Sequence, residues 1–269
     1  MPEGPEVKSM INQLDNIIRN QLLLHIEINS GRYSKKAPDN FSNFCQNLPC
    51  KVNSVNCKGK FIWIEMDNGW NIWNTLGMTG GWKKTKHKHG HFTFGFEKGD
   101  IYYEDIRNFG TFKFNKDQTE LQKKLKSLGT DIFEKEFTLE YVKKIFNTKK
   151  YHHKTIVDIL MNQKLFCGVG NYLKAEILYA CKISPHRKVE DLNENDMRNI
   201  YKFTKEISKN SFDNGGASVR DYSNLDDKEG QYTSMLKVYG QKKDPLGKIV
   251  KREQTSDKRT THWVPEIQI

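Results

Sequence analysis

The run Leu160-Met-Asn-Gln-Lys-Leu-Phe-Cys-Gly-Val-Gly-Asn171-Tyr-Leu-Lys-Ala-Glu176 decides how the chain is organised. Apolar positions follow a helical period from Lys154 to Gln163, and again from Asn171 to Cys181. Between the two, Gly168 and Gly170 let the backbone turn twice within a few residues. Asn171 then stands at the N-terminus of the second helix, where unpaired backbone N–H groups and the helix dipole favour a phosphate. Alone, Gly-x-Gly-Asn is a weak signal, because glycines between helices are common.

Around this run the pattern stays helical. Thr138 is placed to cap a helix over Leu139 to Phe146, and Asn193 opens a longer one carrying Met197, Ile200, Tyr201, Thr204 and Ile207. Lys248 to Arg252, a turn near Ser256-Asp257-Lys258, and Arg259 to Val264 read as a closing β-hairpin. Upstream the period changes to two. Phe61 to Met66, Asp67-Asn68-Gly69 and Trp70 to Leu76 read as a hairpin, and Phe92, Phe94 and Phe96 alternate before a Lys98-Gly99 turn leading to Ile101 and Tyr103. Several such strands predict a β-sandwich. Val7, Met10, Ile11, Leu14, Ile17 and Ile18 place an amphipathic helix almost at the N-terminus, with Pro5 in its first turn. The fold class is α+β: a β-sandwich domain with an N-terminal helix over 1–130, a helical domain over 131–236, and a β-hairpin over 237–269.

Composition narrows the partner. The chain has 44 Lys and Arg against 33 Asp and Glu, a formal charge of +11, which points to a polyanion, nucleic acid first, over a merely Lys-rich solvated surface. No apolar run nears the roughly 20 residues that span a bilayer. Met1 to Glu6 carries two acidic groups and no basic segment, so neither membrane nor secretion is expected. Cys45, Cys50, Cys57, Cys167 and Cys181 are odd in number and lack C-x-x-C spacing, as expected of free thiols inside a cell. His87, His89 and His91 alternate among lysines with no carboxylate or Cys close by, and read as a basic strand edge more readily than as a metal site.

The chemistry-bearing residues begin at Pro2. Met1 is expected to be removed before it, leaving a secondary amine; free α-amino groups titrate at about 7.7 to 8.0, so a neutral fraction is present at physiological pH. Such an amine can attack a sugar C1′ and form an iminium, and Glu3 can act as general acid and base. The competing reading is a plain helix start whose carboxylates favour the dipole. Lys58-Gly59-Lys60 stands before the strongest strand, where a Lys meets either phosphate or only solvent.

Taken together, the residues resemble the formamidopyrimidine-DNA glycosylase and endonuclease VIII family almost end to end. Met1-Pro-Glu-Gly-Pro-Glu-Val7 is similar to the family's start, Lys58-Gly-Lys-Phe61 to its catalytic-Lys strand, and Leu76-Gly-Met-Thr-Gly80 to its next turn. Asp105-Ile-Arg-Asn-Phe-Gly110 resembles its intercalation loop, and Leu160 to Glu176 its helix-two-turn-helix. Gly215-Gly-Ala-Ser-Val-Arg-Asp-Tyr222 followed by Leu236-Lys-Val-Tyr-Gly240 resembles the lesion-side loop and the entry to its finger.

The resemblance implies a base-excision repair enzyme on damaged double-stranded DNA, a DNA glycosylase and abasic-site lyase needing no cofactor and acting as a monomer. Pro2 would be the nucleophile and Glu3 the acid and base at the deoxyribose ring oxygen. Lys60, Asn171 and Arg259 would hold phosphates. Met78, Arg107 and Phe109 would fill the void left by an everted nucleotide, although Met78 and Phe109 also read as ordinary core residues. Glu6, Arg220 and Tyr222 are candidates at the loop over the flipped base. The long segment 214–231 favours oxidised purines such as 8-oxoguanine and formamidopyrimidines, whereas the finger resembles branches that take oxidised pyrimidines and hydantoins.

Two departures matter. Asp244 to Ile267 has no Cys where relatives with a zinc finger carry four, so a zincless finger with no structural metal is expected, packed by Trp263 and Ile267. Asn108 stands where a second Arg is frequent. The rival readings are a catalytically inactive DNA-binding protein of the same fold and an N-terminal-nucleophile enzyme on small molecules. Intact Pro2, Glu3 and Lys60 weigh against the first, and the positive charge against the second.

Overall fold

The structure is a computed structural model that describes residues 2–217 and 223–269. It divides into two compact units. The first comprises 1–126 with 214–231, and the second 127–213 with 232–269, so the chain leaves the first unit, re-enters it for one segment, and leaves again.

The first unit opens with α1 (Gly4–Ile18), which buries Val7, Met10, Ile11, Leu14 and Ile18 as the spacing predicts. Eight strands follow: β1 (Leu22–Ile28), β2 (Cys50–Lys58), β3 (Phe61–Met66), β4 (Asn71–Thr75), β5 (Gly80–Lys83), β6 (Gly90–Phe96), β7 (Gly99–Asp105) and β8 (Thr111–Asn115), with α2 (Phe41–Cys45) before β2. They run in the order β5-β7-β6-β1-β2-β3-β4-β8, all pairs antiparallel, as a sandwich-like sheet. Its two halves, β5-β7-β6-β1 and β2-β3-β4-β8, are joined in the strand ladder where Leu22 and Leu23 of β1 pair with Lys51 and Cys50 of β2. The Phe61 hairpin forms as read, in the register Trp63↔Trp73 and Ile64↔Ile72. The alternating Phe hairpin also forms, with Phe96 opposite Gly99.

Aromatic rings fill the core between the two halves. Phe92 and Phe112 lie 4.6 Å apart, Tyr103 meets Phe112 edge-on at 4.7 Å, and Trp82 tilts against Phe94 at 4.8 Å. Large rings bury much apolar area for few fixed torsions, and offset or edge contacts add about 0.5–1.5 kcal/mol each. Both halves also bury their apolar faces against α1: Met10 and Trp82 belong to one cluster, with the Trp82 N–H directed at the Met10 sulfur.

After α3 (Gln118–Ser127) the second unit is helical: α4 (Leu139–Phe146), α5 (Ile156–Leu160), α6 (Asn171–Cys181) and α7 (Glu194–Asp213). Thr138 caps α4 through its hydroxyl, which accepts the Tyr141 N–H at 3.1 Å. Asn193 likewise accepts the Asp196 N–H at 2.9 Å at the start of α7. The helix read over Lys154 to Gln163 is shorter than its periodicity, stopping at Leu160. There the Gln163 carboxamide takes over backbone groups of the double turn, accepting from Gly168 and donating to the Val169 carbonyl. Helix α6 is buried almost all round, its charged residues Lys174 and Glu176 included.

The closing hairpin, β9 (Lys251–Gln254) and β10 (Thr260–Trp263), pairs from Thr260↔Gln254 to Trp263↔Lys251. Ala175, Val238, Val250 and Val264 form its apolar base, with Ile267 packed against them. Trp263 is buried, and its indole N–H donates to Glu253 at 2.7 Å. Among the described residues no helix is long and apolar enough to cross a membrane.

His262 in β10 gives the first prediction. Its ring packs on Tyr239 at 4.7 Å, and burial, with the charges of Arg252 and Lys174, pushes its pKa down to about 4. The folded chain therefore holds this ring neutral between about pH 6.5 and 4, while the unfolded chain takes up a proton. Stability on this account is full above the ordinary His pKa and declines as pH falls toward 4. His262→Phe should flatten the change in urea midpoint between pH 7.5 and 5 relative to wild type. Equal pH slopes in the two proteins would refute the reading.

Candidate active site and nucleic-acid interface

The predicted chemistry at the N-terminus sits inside the first unit. Pro2 and Glu3 are buried, Glu3 to 2% exposure and Glu6 completely. Glu3 is the N-cap of α1 in a reciprocal box: its carboxylate accepts the Glu6 N–H, and Glu6 Oε2 accepts the Glu3 N–H at 2.8 Å. A Pro at the helix start removes an N–H that has no intrahelical partner, so the sequence closes this end of α1 without strain. The result holds a carboxylate one residue from Pro2 in fixed geometry, at the positive end of a helix.

Glu6 has a second task. Its Oε1 accepts the Ala217 N–H at 2.7 Å, tying α1 to the start of the segment read as the lesion-side loop. Gly216, at φ +84°, comes so close that a Cβ there would stand 2.7 Å from the Glu6 side chain. Only Gly fits both the angle and the approach. Arg220 and Tyr222 lie outside the described residues. On the far side of the loop, Lys83 is 1% exposed and its ammonium reaches the Ser223 and Asn224 carbonyls, the Ser223 hydroxyl and Asp227 Oδ1 at 2.8 Å. Burial works to raise the Asp227 pKa, but the hydrogen bond and charge of Lys83, then His87, hold it below the usual carboxylate range. Nothing in the sequence pattern singled out Lys83, which sits among the lysines after Trp82.

Arg107 and Phe109 meet on one loop, and Gly77 and Thr79, on either side of Met78, pack against it. Phe109 is 52% exposed, Arg107 is exposed and Met78 half-buried, so none of the three is a core residue. The Arg107 guanidinium lies 4.8 Å over the Phe109 ring, a cation–π contact that pre-orders both. Gly77, at φ +63°, packs on the backbone of Phe109 and Gly110, where a Cβ would meet the Gly110 nitrogen at 2.8 Å. Beneath them, Asp105 is wholly buried and accepts the Thr79 hydroxyl at 2.5 Å and the Gly110 N–H at 2.6 Å. Thr79 in turn accepts the Arg107 N–H at 2.8 Å. This clamp was not legible in sequence, beyond Asp105 and Thr79 belonging to the quoted motifs.

Of the three histidines, His91 and His87 have separate tasks. His91 is buried, bonded to the Ser30 hydroxyl at 2.9 Å and the Asp105 carbonyl at 2.8 Å, whereas His87 meets Asp227 at 3.0 Å. Among the described residues no group of three or more His, Cys, Asp or Glu is placed to hold a metal. Lys60 is half-buried in the two-residue turn between β2 and β3, next to Gly59 at φ +56°.

In the second unit Asn171 and Arg259 lie close together. The Asn171 amide donates to the Thr260 carbonyl at 2.9 Å, one residue from the exposed Arg259. Its second N–H and the Arg259 guanidinium are donors of the kind that fit phosphate oxygens. Glu176, on the same helix, accepts the N–H groups of Lys237, Val238 and Tyr239 at 2.9–3.0 Å and so fixes the entry to the hairpin. Burial raises its pKa against the pull of those three donors.

This architecture recurs in solved structures. A Lactococcus lactis formamidopyrimidine-DNA glycosylase variant, in complex with a Fapy-dG-containing DNA, superposes with a TM-score of 0.87 at 26% identity over 99% of each chain. The Thermus thermophilus MutM (Fpg) structure shares the fold, with a TM-score of 0.87 at 24% identity over 99% of this chain and 98% of that one. The fold is thus that of the helix-two-turn-helix class of DNA glycosylases. Three profiles tile the sequence: the formamidopyrimidine-DNA glycosylase N-terminal domain over 1–112, the H2TH domain over 128–223 and the C-terminal domain over 223–269. Formamidopyrimidine-DNA glycosylases of Bacillus cereus and Carboxydothermus hydrogenoformans are each 29% identical over the whole of this chain and 99% and 100% of their own lengths. The chain belongs to the formamidopyrimidine-DNA glycosylase family.

Proposed function

We propose that this protein is a base-excision repair enzyme on damaged double-stranded DNA, removing oxidised bases as a glycosylase and cleaving the resulting abasic site as a lyase. The observation that carries the reading is the buried capping box at α1, which holds the Glu3 carboxylate in place beside Pro2. In the mature chain the Pro2 amine attacks C1′ of the extruded nucleotide, the base departs, and an iminium forms with the opened deoxyribose. Glu3 protonates the ring oxygen and then serves the elimination steps that release the 3′ and 5′ phosphates, leaving a one-nucleotide gap. Extruding a nucleotide costs a few kcal/mol, which Met78, Arg107 and Phe109 offset by filling the stack. Lys60, Asn171 and Arg259 hold phosphates around the lesion. The hairpin is a zincless finger whose base is the apolar cluster around Val264, and the enzyme works as a monomer without a cofactor.

The substrates are oxidised purines, with oxidised pyrimidines and hydantoins as the second class. Family membership and the likeness to the Lactococcus lactis enzyme in complex with Fapy-dG DNA favour the purine class. The test is borohydride trapping on duplexes carrying one lesion opposite each base in turn. A covalent protein–DNA adduct should form with wild type and not when the Pro2 amine is blocked by an N-terminal extension. A chain that binds abasic duplex but never cross-links would instead be the non-catalytic binder.

A further inference from the structure

The tip of the hairpin that carries Arg259 lies beyond the reach of its apolar base. Ser256, Lys258, Arg259 and Thr260 are exposed, so packing around Val264 does not fix where the tip sits. Hydrogen bonds around Thr255 and one between the Ser256 and Thr155 hydroxyls shape it, and the Asp257 carboxylate ties it to α6. Asp257 Oδ1 accepts the Thr255 hydroxyl at 2.5 Å and the Arg259 N–H at 3.3 Å, while Oδ2 meets the Lys174 ammonium of α6 at 2.6 Å. The pair is dry, with side chains 0% and 4% exposed. Asn171 stands three residues before Lys174 on the same face of α6 and holds the Thr260 carbonyl. The helix therefore grips the hairpin at residues 257 and 260, on either side of Arg259.

We propose that Lys174 and Asp257 are positioning residues for Arg259, a buried ion pair that sets the finger's tip on the helix and so aims the Arg259 guanidinium at a phosphate. The proposal rests on the phosphate role given to Arg259 above. A dry ion pair adds little net stability over well-packed apolar side chains, but it admits one geometry where apolar contacts admit many. Directional fixing is what a bidentate phosphate contact at an exposed tip requires.

The test uses the full chain and a duplex with a tetrahydrofuran abasic analogue, titrated by fluorescence anisotropy over a salt series. Arg259→Ala should weaken binding about tenfold and reduce the slope of log K against log salt by about 0.9, the signature of one lost phosphate contact. Lys174→Met, with its fold verified by circular dichroism, should reproduce both changes, and the double variant should bind no more weakly than Arg259→Ala. Should Lys174→Met not fold, Asp257→Asn keeps the shape, weakens the pair, and should show the reduced slope. A folded Lys174→Met or Asp257→Asn with the wild-type slope, beside an affected Arg259→Ala, overturns the positioning role alone. An Arg259→Ala protein with unchanged slope overturns the phosphate role and the inference with it.

Discussion

Replacing Glu3 by Gln is expected to slow base release and strand scission by about 10²- to 10⁴-fold while leaving affinity for an abasic-analogue duplex within about twofold. The amide oxygen of Gln can still accept the Glu6 N–H, so the cap on α1 survives and stability falls by no more than about 1 kcal/mol. What is lost is a group that can both give and take a proton at the sugar ring. Single-turnover cleavage of a lesion duplex, with binding measured on the uncleavable analogue, separates the two effects. A variant that cleaves at the wild-type rate would remove Glu3 from the chemistry and reduce the capping box to helix architecture. Loss of binding in parallel with cleavage would show instead that the substitution had disturbed the fold around α1.

Asp105→Ala is expected to produce the largest structural effect. The substitution leaves the Thr79 hydroxyl and the Gly110 N–H without their buried acceptor, and charge-assisted bonds of this kind are worth about 1.5–3 kcal/mol each. A loss on the order of 3 kcal/mol follows, because relaxation of the loop recovers part of the sum. Urea unfolding gives the number. The functional consequence is a loosened Arg107 and Phe109, since the Arg107 N–H is held by Thr79. Cleavage of a base pair bearing a lesion should then suffer more than cleavage at a pre-formed abasic site, where less stacking has to be replaced. Asp105→Asn keeps an acceptor for one of the two donors and should fall between. Equal stability of wild type and Asp105→Ala would mean that the clamp bears no weight.

Much of the architecture was legible because its signals are local. The helix over Asn171–Cys181, the Thr138 cap and the two quoted hairpins of the first unit depend on periodicity and on residues within a few positions of one another. Among the strands that went unread, β2 and β5 have weak local marks. β5 is the four-residue run Gly80–Lys83, and β2, Cys50–Lys58, mixes polar with apolar residues, so only their partners identify them as strands. The candidate site divides in the same way. Pro2, Glu3, Asn171 and Arg259 could be picked from ordered motifs. Lys83, Lys174 and Asp257 could not, since no residue near them in sequence names the partner that lets a charge be buried.

Sequence alone determined the class of fold and pointed to the residues that bear the proposed chemistry, because each rests on neighbours a few positions apart and on motifs in a fixed order, whereas the return of 214–231 to the first unit was not legible there. Tertiary structure alone decided which charges are buried and what they hold. Lys83 reaches Asp227 across 144 positions and Lys174 reaches Asp257 across 83, and each carries a cost of desolvation that these distant partners help to offset.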